Sequence, residues 1–140
     1  MPPGLAHGSD LAHTIIGPQV RPLAGPRTSL AMRVRRRLGP GLLESVYEAC
    51  LCHEFLQAPL PFKRQVPLPV LYDDTHLDYG YLADIIVDSQ VILELKSVER
   101  LLPLHEAQLL TYLRLSPCRI GLLINFNTIS LLDGIKRCVL

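Results

Sequence analysis

Two short apolar runs separated by a three-residue polar gap constrain the fold of this chain more than any other feature. Residues 81–87 (YLADIIV) and 91–98 (VILELKSV) are rich in isoleucine, valine and leucine, and they flank Asp88-Ser89-Gln90. Such runs around a short polar turn predict a β-hairpin. With a three-residue loop, counting outward pairs Val87 with Val91, Ile86 with Ile92, Ile85 with Leu93 and Asp84 with Glu94. Directly opposed residues have Cβ atoms about 5 Å apart. The two carboxylates then face each other, and the two-residue period of a strand puts Lys96 on the same face. Acids so placed repel and lose hydration, so a positive charge must offset them. Lys96 supplies one charge. A divalent cation supplies two, and a hard ion such as Mg²⁺ or Mn²⁺ favours carboxylate oxygen. An ion there orients a phosphate and produces hydroxide near neutral pH, while the lysine stabilises charge on the phosphate. Spacing alone is served equally well by an ion pair of Lys96 with Asp84 or Glu94. A slip of one residue in register would send the acids to opposite faces.

The remaining pattern supplies the elements around that hairpin. Residues 1–30 hold five prolines and four glycines, which predicts an irregular N-terminal extension with one short helical piece at 9–17 (SDLAHTIIG). A helix is expected at 31–38, stopped by Gly39-Pro40-Gly41. Residues 42–57 repeat Leu43, Val46, Tyr47, Cys50, Leu51 and Phe55 at helical spacing, the pattern of an amphipathic helix. Residues 64–72 alternate loosely, and Pro67 and Pro69 restrict them to an edge strand. Asp73-Asp74-Thr75 reads as a turn. A further helix is expected at 105–115, a buried strand at 119–126 (RIGLLINF), and a short strand or helix at 134–140. The reading is an α/β domain at 31–140 in α-β-β-β-α-β order, a mixed sheet flanked by helices.

Composition narrows the functional classes. The net charge is +1, from 14 basic and 13 acidic residues, so bulk charge provides no general grip on nucleic acid. The one basic run, Arg33 to Arg37, reads first as a solvated helix face. No apolar run approaches the roughly 20 residues that span a bilayer, and the first residues lack the pattern of a secretory leader. A cytoplasmic protein is expected, with no membrane partner and no small organic cofactor. Cys50, Cys52, Cys118 and Cys138 form no CxxC pair and read as reduced, mostly buried thiols.

Asp84, nine residues, then Glu94-Leu95-Lys96 resembles the D-x(n)-E-x-K signature of PD-(D/E)XK nucleases. Gly41-Leu42-Leu43-Glu44-Ser45-Val46-Tyr47 resembles the motif that names the GxxExxY family, a small bacterial and archaeal group within that superfamily. Further matches are Val66 to Val70, Gly80-Tyr81, His105 to Leu110, Gly121 to Phe126 and Gly134 to Arg137. The resemblance implies a restriction-endonuclease-like core. It implies Asp84, Glu94 and Glu44 as metal ligands, with the Leu95 carbonyl beside them, and Lys96 as the catalytic lysine. It also implies Gln108 and Tyr112 as a Q-x-x-x-Y substrate-binding pair, whose spacing puts both on one helical face. Each has a plain counterpart. Glu44 suits the first turn of any helix, Gln108 and Tyr112 suit a hydrogen-bonded core, Tyr47 suits the core, and His105 suits a cap on its own helix. The chain departs from the family where Pro18 to Leu30 interrupts the first helix, and where Arg35 and Leu82 replace the usual histidine and arginine.

Three functions follow as expectations. The first is a Mg²⁺- or Mn²⁺-dependent nuclease acting on DNA or RNA through Asp84, Glu94 and Lys96. The second is an inactive nuclease-like scaffold that binds nucleic acid or a protein, which the near-neutral charge and Leu82 favour. The third is an assembly subunit, a homo-oligomer joined through apolar edge strands.

Overall fold

The computed structural model describes residues 25–78 and 80–140. The helical piece expected at 9–17 lies outside them. Helix α1 (Pro26–Leu38) begins at Pro26 rather than at Ala31. A proline in the first turn of a helix needs no N–H partner and has a suitable φ, so the residue expected to break the helix starts it. Helix α2 (Glu44–Gln57) follows the loop at Gly39-Pro40-Gly41. Strand β1 (Phe62–Pro67) ends at Pro67, and β2 (Val70–Tyr72) pairs with β3 (Thr75–Leu77) around Asp73-Asp74. The single edge strand expected at 64–72 is therefore two strands in two sheets, divided where the prolines withdraw backbone donors. The chain continues through β4 (Leu82–Val87), β5 (Val91–Lys96), α3 (Pro103–Leu115), β6 (Ile120–Asn125), a single 3-10 turn (Leu131–Gly134) and β7 (Ile135–Val139).

The main sheet has the order β1-β4-β5-β6-β7. Only β5 and β6 are parallel, and α3 is the crossover between them. With α2 ahead of β1, the core keeps the α-β-β-β-α-β order, and β7 extends it. Strands β5 and β6 are buried along nearly their whole length, which explains why they read as continuous apolar runs.

Two apolar clusters cover the two faces. Ile85, Val87, Val91, Leu93 and Leu95 pack with Tyr47, Leu51 and Phe55 of α2. Ile86, Ile92 and Leu123 pack with Leu109, Tyr112 and Leu113 of α3. The basic run of α1 is only partly a solvated face. Arg35 donates from Nε to the Phe126 carbonyl at 3.0 Å and from Nη2 to the carbonyls of Thr128 and Ile129. It thereby fastens α1 to the segment that leaves β6. All four cysteines are free thiols; three are buried and Cys50 is half-buried.

Candidate active site

The hairpin register is the one that the loop length predicts, with Val87 opposite Val91, Ile86 opposite Ile92 and Ile85 opposite Leu93. Asp88 and Ser89 make the turn at φ 55° and 56°, and the Gln90 amide donates to the Val87 carbonyl at 2.9 Å. Beyond Ile85 and Leu93 the backbone ladder stops, and side chains replace it. The Asp84 amide donates to Glu94 Oε2 at 2.7 Å, and the Leu95 amide donates to Asp84 Oδ2 at 2.8 Å. Each carboxylate thus satisfies a backbone N–H on or beside the other acid's strand position, so neither of these two amides is left unpaired.

The strands change phase at this point. Ile85 and Val87 belong to the α2-side cluster, whereas Ala83 belongs to the α3-side cluster. Strict alternation would place residue 83 with residue 85, so the pleat slips by one residue at Asp84. On β1 the same slip falls at Gln65, whose φ is +51°. A non-glycine residue there costs of the order of 1 kcal/mol or more and persists only where its surroundings hold it. The holding contacts are two: Gln65 Nε2 donates to Glu48 Oε1 at 2.7 Å and to Asp84 Oδ1 at 3.3 Å.

Glu48 is the residue that reading the sequence missed. It is only 8% exposed, and its other oxygen accepts from Arg64 Nε at 2.6 Å. Its position within the buried stripe of Tyr47, Leu51, Cys52 and Phe55, one turn after Glu44, was the available signal, because a carboxylate in such a stripe requires a partner. Glu44 stands elsewhere. It is exposed, and its Oε2 accepts from the Ser97 amide at 3.2 Å while Ser97 Oγ donates to the Leu42 carbonyl at 2.6 Å. Tyr47 is a core residue, stacked on Phe126 at 4.4 Å, and its hydroxyl donates to the Gly39 carbonyl at 2.5 Å. The segment from Gly39 to Tyr47 therefore clasps the end of β5 one residue after Lys96.

Charge in the site is unbalanced. Glu94 is 4% exposed, and burial, reinforced by the negative charge of Asp84, pushes its carboxyl up to about 8 despite the Asp84 amide and Lys96. Burial also raises Asp84; the Leu95 N–H opposes that, Glu48 adds to it, and Gln65 and Lys96 oppose it. The Tyr112 hydroxyl is raised by burial and then by the fields of Glu94 and Asp84, which places α3 against the same acids. Gln108 accepts from Lys96 Nζ at 3.5 Å. His105 does cap its own helix, accepting from the Leu102 amide at 3.0 Å.

Among the described residues no three His, Cys, Asp or Glu side chains converge to hold an ion by themselves. Two carboxylates nevertheless suit Mg²⁺, which keeps several of its waters and takes one or two protein carboxylates. Glu94 is buried and Asp84 half-buried, and the two repel each other and are short of positive charge, so the donor set fits such an ion. Lys96, Gln108 and Tyr112 open onto a groove of about 510 Å³ that Tyr81 and Leu104 also line. Asp84 and Glu94 are not in the groove's lining; a larger cavity of about 690 Å³, lined by residues such as Glu99, Arg100, Asn125 and Lys136, includes neither acid nor Lys96.

These observations define a class of protein, an α/β domain with two interlocked acids and a lysine where a hairpin ladder gives way beside a parallel crossover. The chain belongs to the PD-(D/E)XK nuclease superfamily, whose family model matches residues 26–138. No curated protein and no solved structure matches it. Among the described residues no helix is long and apolar enough to cross a membrane.

Proposed function

We propose that the protein is a divalent-metal-dependent nuclease that hydrolyses phosphodiester bonds of DNA or RNA at Asp84, Glu94 and Lys96. The observation that carries this reading is Glu94, a buried carboxyl held at about 8 beside a second, half-buried acid. That arrangement destabilises the fold near neutral pH, and its value lies in what it binds. Asp84 and Glu94, with the Leu95 carbonyl, would hold Mg²⁺ or Mn²⁺, which supplies Lewis-acid polarisation of the phosphate and a water of lowered pKa. Lys96 donates to the non-bridging phosphate oxygen on which negative charge builds. Gln108 holds the lysine from α3, and Tyr112 keeps its hydroxyl protonated as a donor in the same field. Glu48 acts through Gln65, fixing the Asp84 carboxylate. Glu44, which family resemblance would make a ligand, holds Ser97 and hence the end of β5. Hydrolysis adds hydroxide to phosphorus and a proton to the departing oxygen. The four unpaired thiols accord with a reducing, cytoplasmic setting.

The test is cleavage of end-labelled DNA and RNA oligonucleotides in Mg²⁺ or Mn²⁺ by the wild type, Lys96→Ala and Glu94→Ala. Cleavage by the wild type alone supports the reading. A wild type that binds metal yet cuts none of the substrates returns the protein to the scaffold class.

A further inference from the structure

The groove beside Lys96 is lined unlike a surface that grips a phosphate backbone. Among the described residues that line it, only Lys96 and His105 are basic, and the whole chain carries a net charge of only +1. Duplex-tracking proteins draw most of their non-specific affinity from many phosphate contacts. This groove instead contains two tyrosines. The Tyr81 and Tyr112 rings lie 5.9 Å apart at 55°. Tyr112 is 6% exposed and forms the floor, whereas Tyr81 is 43% exposed. Tyr81 is also fixed in place. It follows Gly80 at φ +78°, and its carbonyl accepts from the Leu68 amide at 2.8 Å. Leu104, 75% exposed, stands at the same groove, and Gln108 and Thr111 offer groups that hydrogen-bond to a base edge.

A mounted, half-exposed aromatic ring above a buried one, next to the Lys96 ammonium, matches a nucleotide whose base is free to stack and whose phosphate lies beside it. A paired base inside a duplex cannot reach such a ring without leaving its stack. We infer that the groove lined by Tyr81, Tyr112, Leu104 and Gln108 seats an unpaired nucleobase, so that the substrate class is single-stranded nucleic acid with its phosphate delivered to Lys96. This rests on the hydrolytic reading above for its consequence, and on the groove alone for binding.

The experiment measures binding of the full chain, in chelator, to 2-aminopurine-labelled single strands of DNA and of RNA and to blunt duplexes of equal length. Tyr81→Ala and Tyr81→Phe are compared with the wild type, their folding checked by thermal melting. The expected result is at least tenfold tighter binding of single strands, with quenching of the base analogue. Tyr81→Ala loses about tenfold in affinity, the effect of one base-aromatic stack, and Tyr81→Phe retains most of it. Equal affinity for duplex, absence of quenching, or an alanine variant that binds as the wild type does would overturn the inference. Cleavage in Mg²⁺ or Mn²⁺ separates the two claims. Tyr81-dependent binding without cleavage sinks hydrolysis and leaves the groove assignment standing. Cleavage that ignores strandedness and Tyr81 does the reverse.

Discussion

Replacing Glu94 by glutamine preserves the shape of the side chain and removes its titration. The carboxyl of Glu94 moves from an ordinary 4.5 to about 8 on folding, chiefly through burial and the charge of Asp84. Between those values the native protein holds a proton that the unfolded chain has released. Stability is therefore full below the unfolded pKa and declines as pH rises toward 8, by up to about 1.4 kcal/mol per pH unit. Asp84 is raised too, so it contributes in the same direction and the variant retains part of the slope. The amide oxygen of glutamine can still accept from the Asp84 amide, so the contact at 2.7 Å is kept. Metal-free Glu94→Gln should accordingly exceed the wild type in stability by roughly 2–4 kcal/mol near pH 8.5, and by little near pH 4.5. Urea denaturation in chelator at several pH values measures this. Millimolar Mn²⁺ should then stabilise the wild type by about 2–3 kcal/mol at a hundredfold excess over its Kd, and the variant by much less. Parallel stability curves for the two proteins across that range would refute the reasoning.

Lys96→Ala should abolish cleavage while metal affinity, measured above pH 8 where Glu94 is ionised, changes only a few-fold; full activity would remove the lysine from the chemistry. Glu48→Ala deletes the acceptor for Arg64 and Gln65 and should cost about 1–2 kcal/mol by thermal or urea melting. It should also shift the pH dependence of metal binding downward, because Glu48 raises both Asp84 and Glu94. Glu44→Ala should leave that pH dependence in place, and an equal shift in both variants would contradict the separate roles given to the two glutamates. Gly121→Ala would bring a Cβ to 2.7 Å from the buried Leu109 side chain and should cost about 1–3 kcal/mol in stability.

The hairpin was legible because its register follows from a loop length and its acids from a two-residue period, both local properties of residues 84–96. What lay outside the sequence was decided by contacts between distant segments. Pro26 reads as a breaker until the helix that it opens is seen. Arg35 reads as solvated until the carbonyls beyond β6 are placed beside it. Glu48 was overlooked because a helical carboxylate is ordinarily a solvent group, and its burial depends on Arg64 and Gln65 arriving from β1. The left-handed φ of Gln65 and the joint phase slip at Asp84 have no sequence signal that we can name. The partnership of Tyr81 with Tyr112 likewise arises only once α3 crosses back over the sheet.

Calorimetric titration of Mn²⁺ into the protein near pH 8.5 tests most directly whether Asp84 and Glu94 share one divalent cation. One site per chain is predicted, lost in both Asp84→Asn and Glu94→Ala and weakened as pH falls below about 8, where Glu94 regains its proton. Absence of binding in the wild type, or binding that both variants retain, would contradict it.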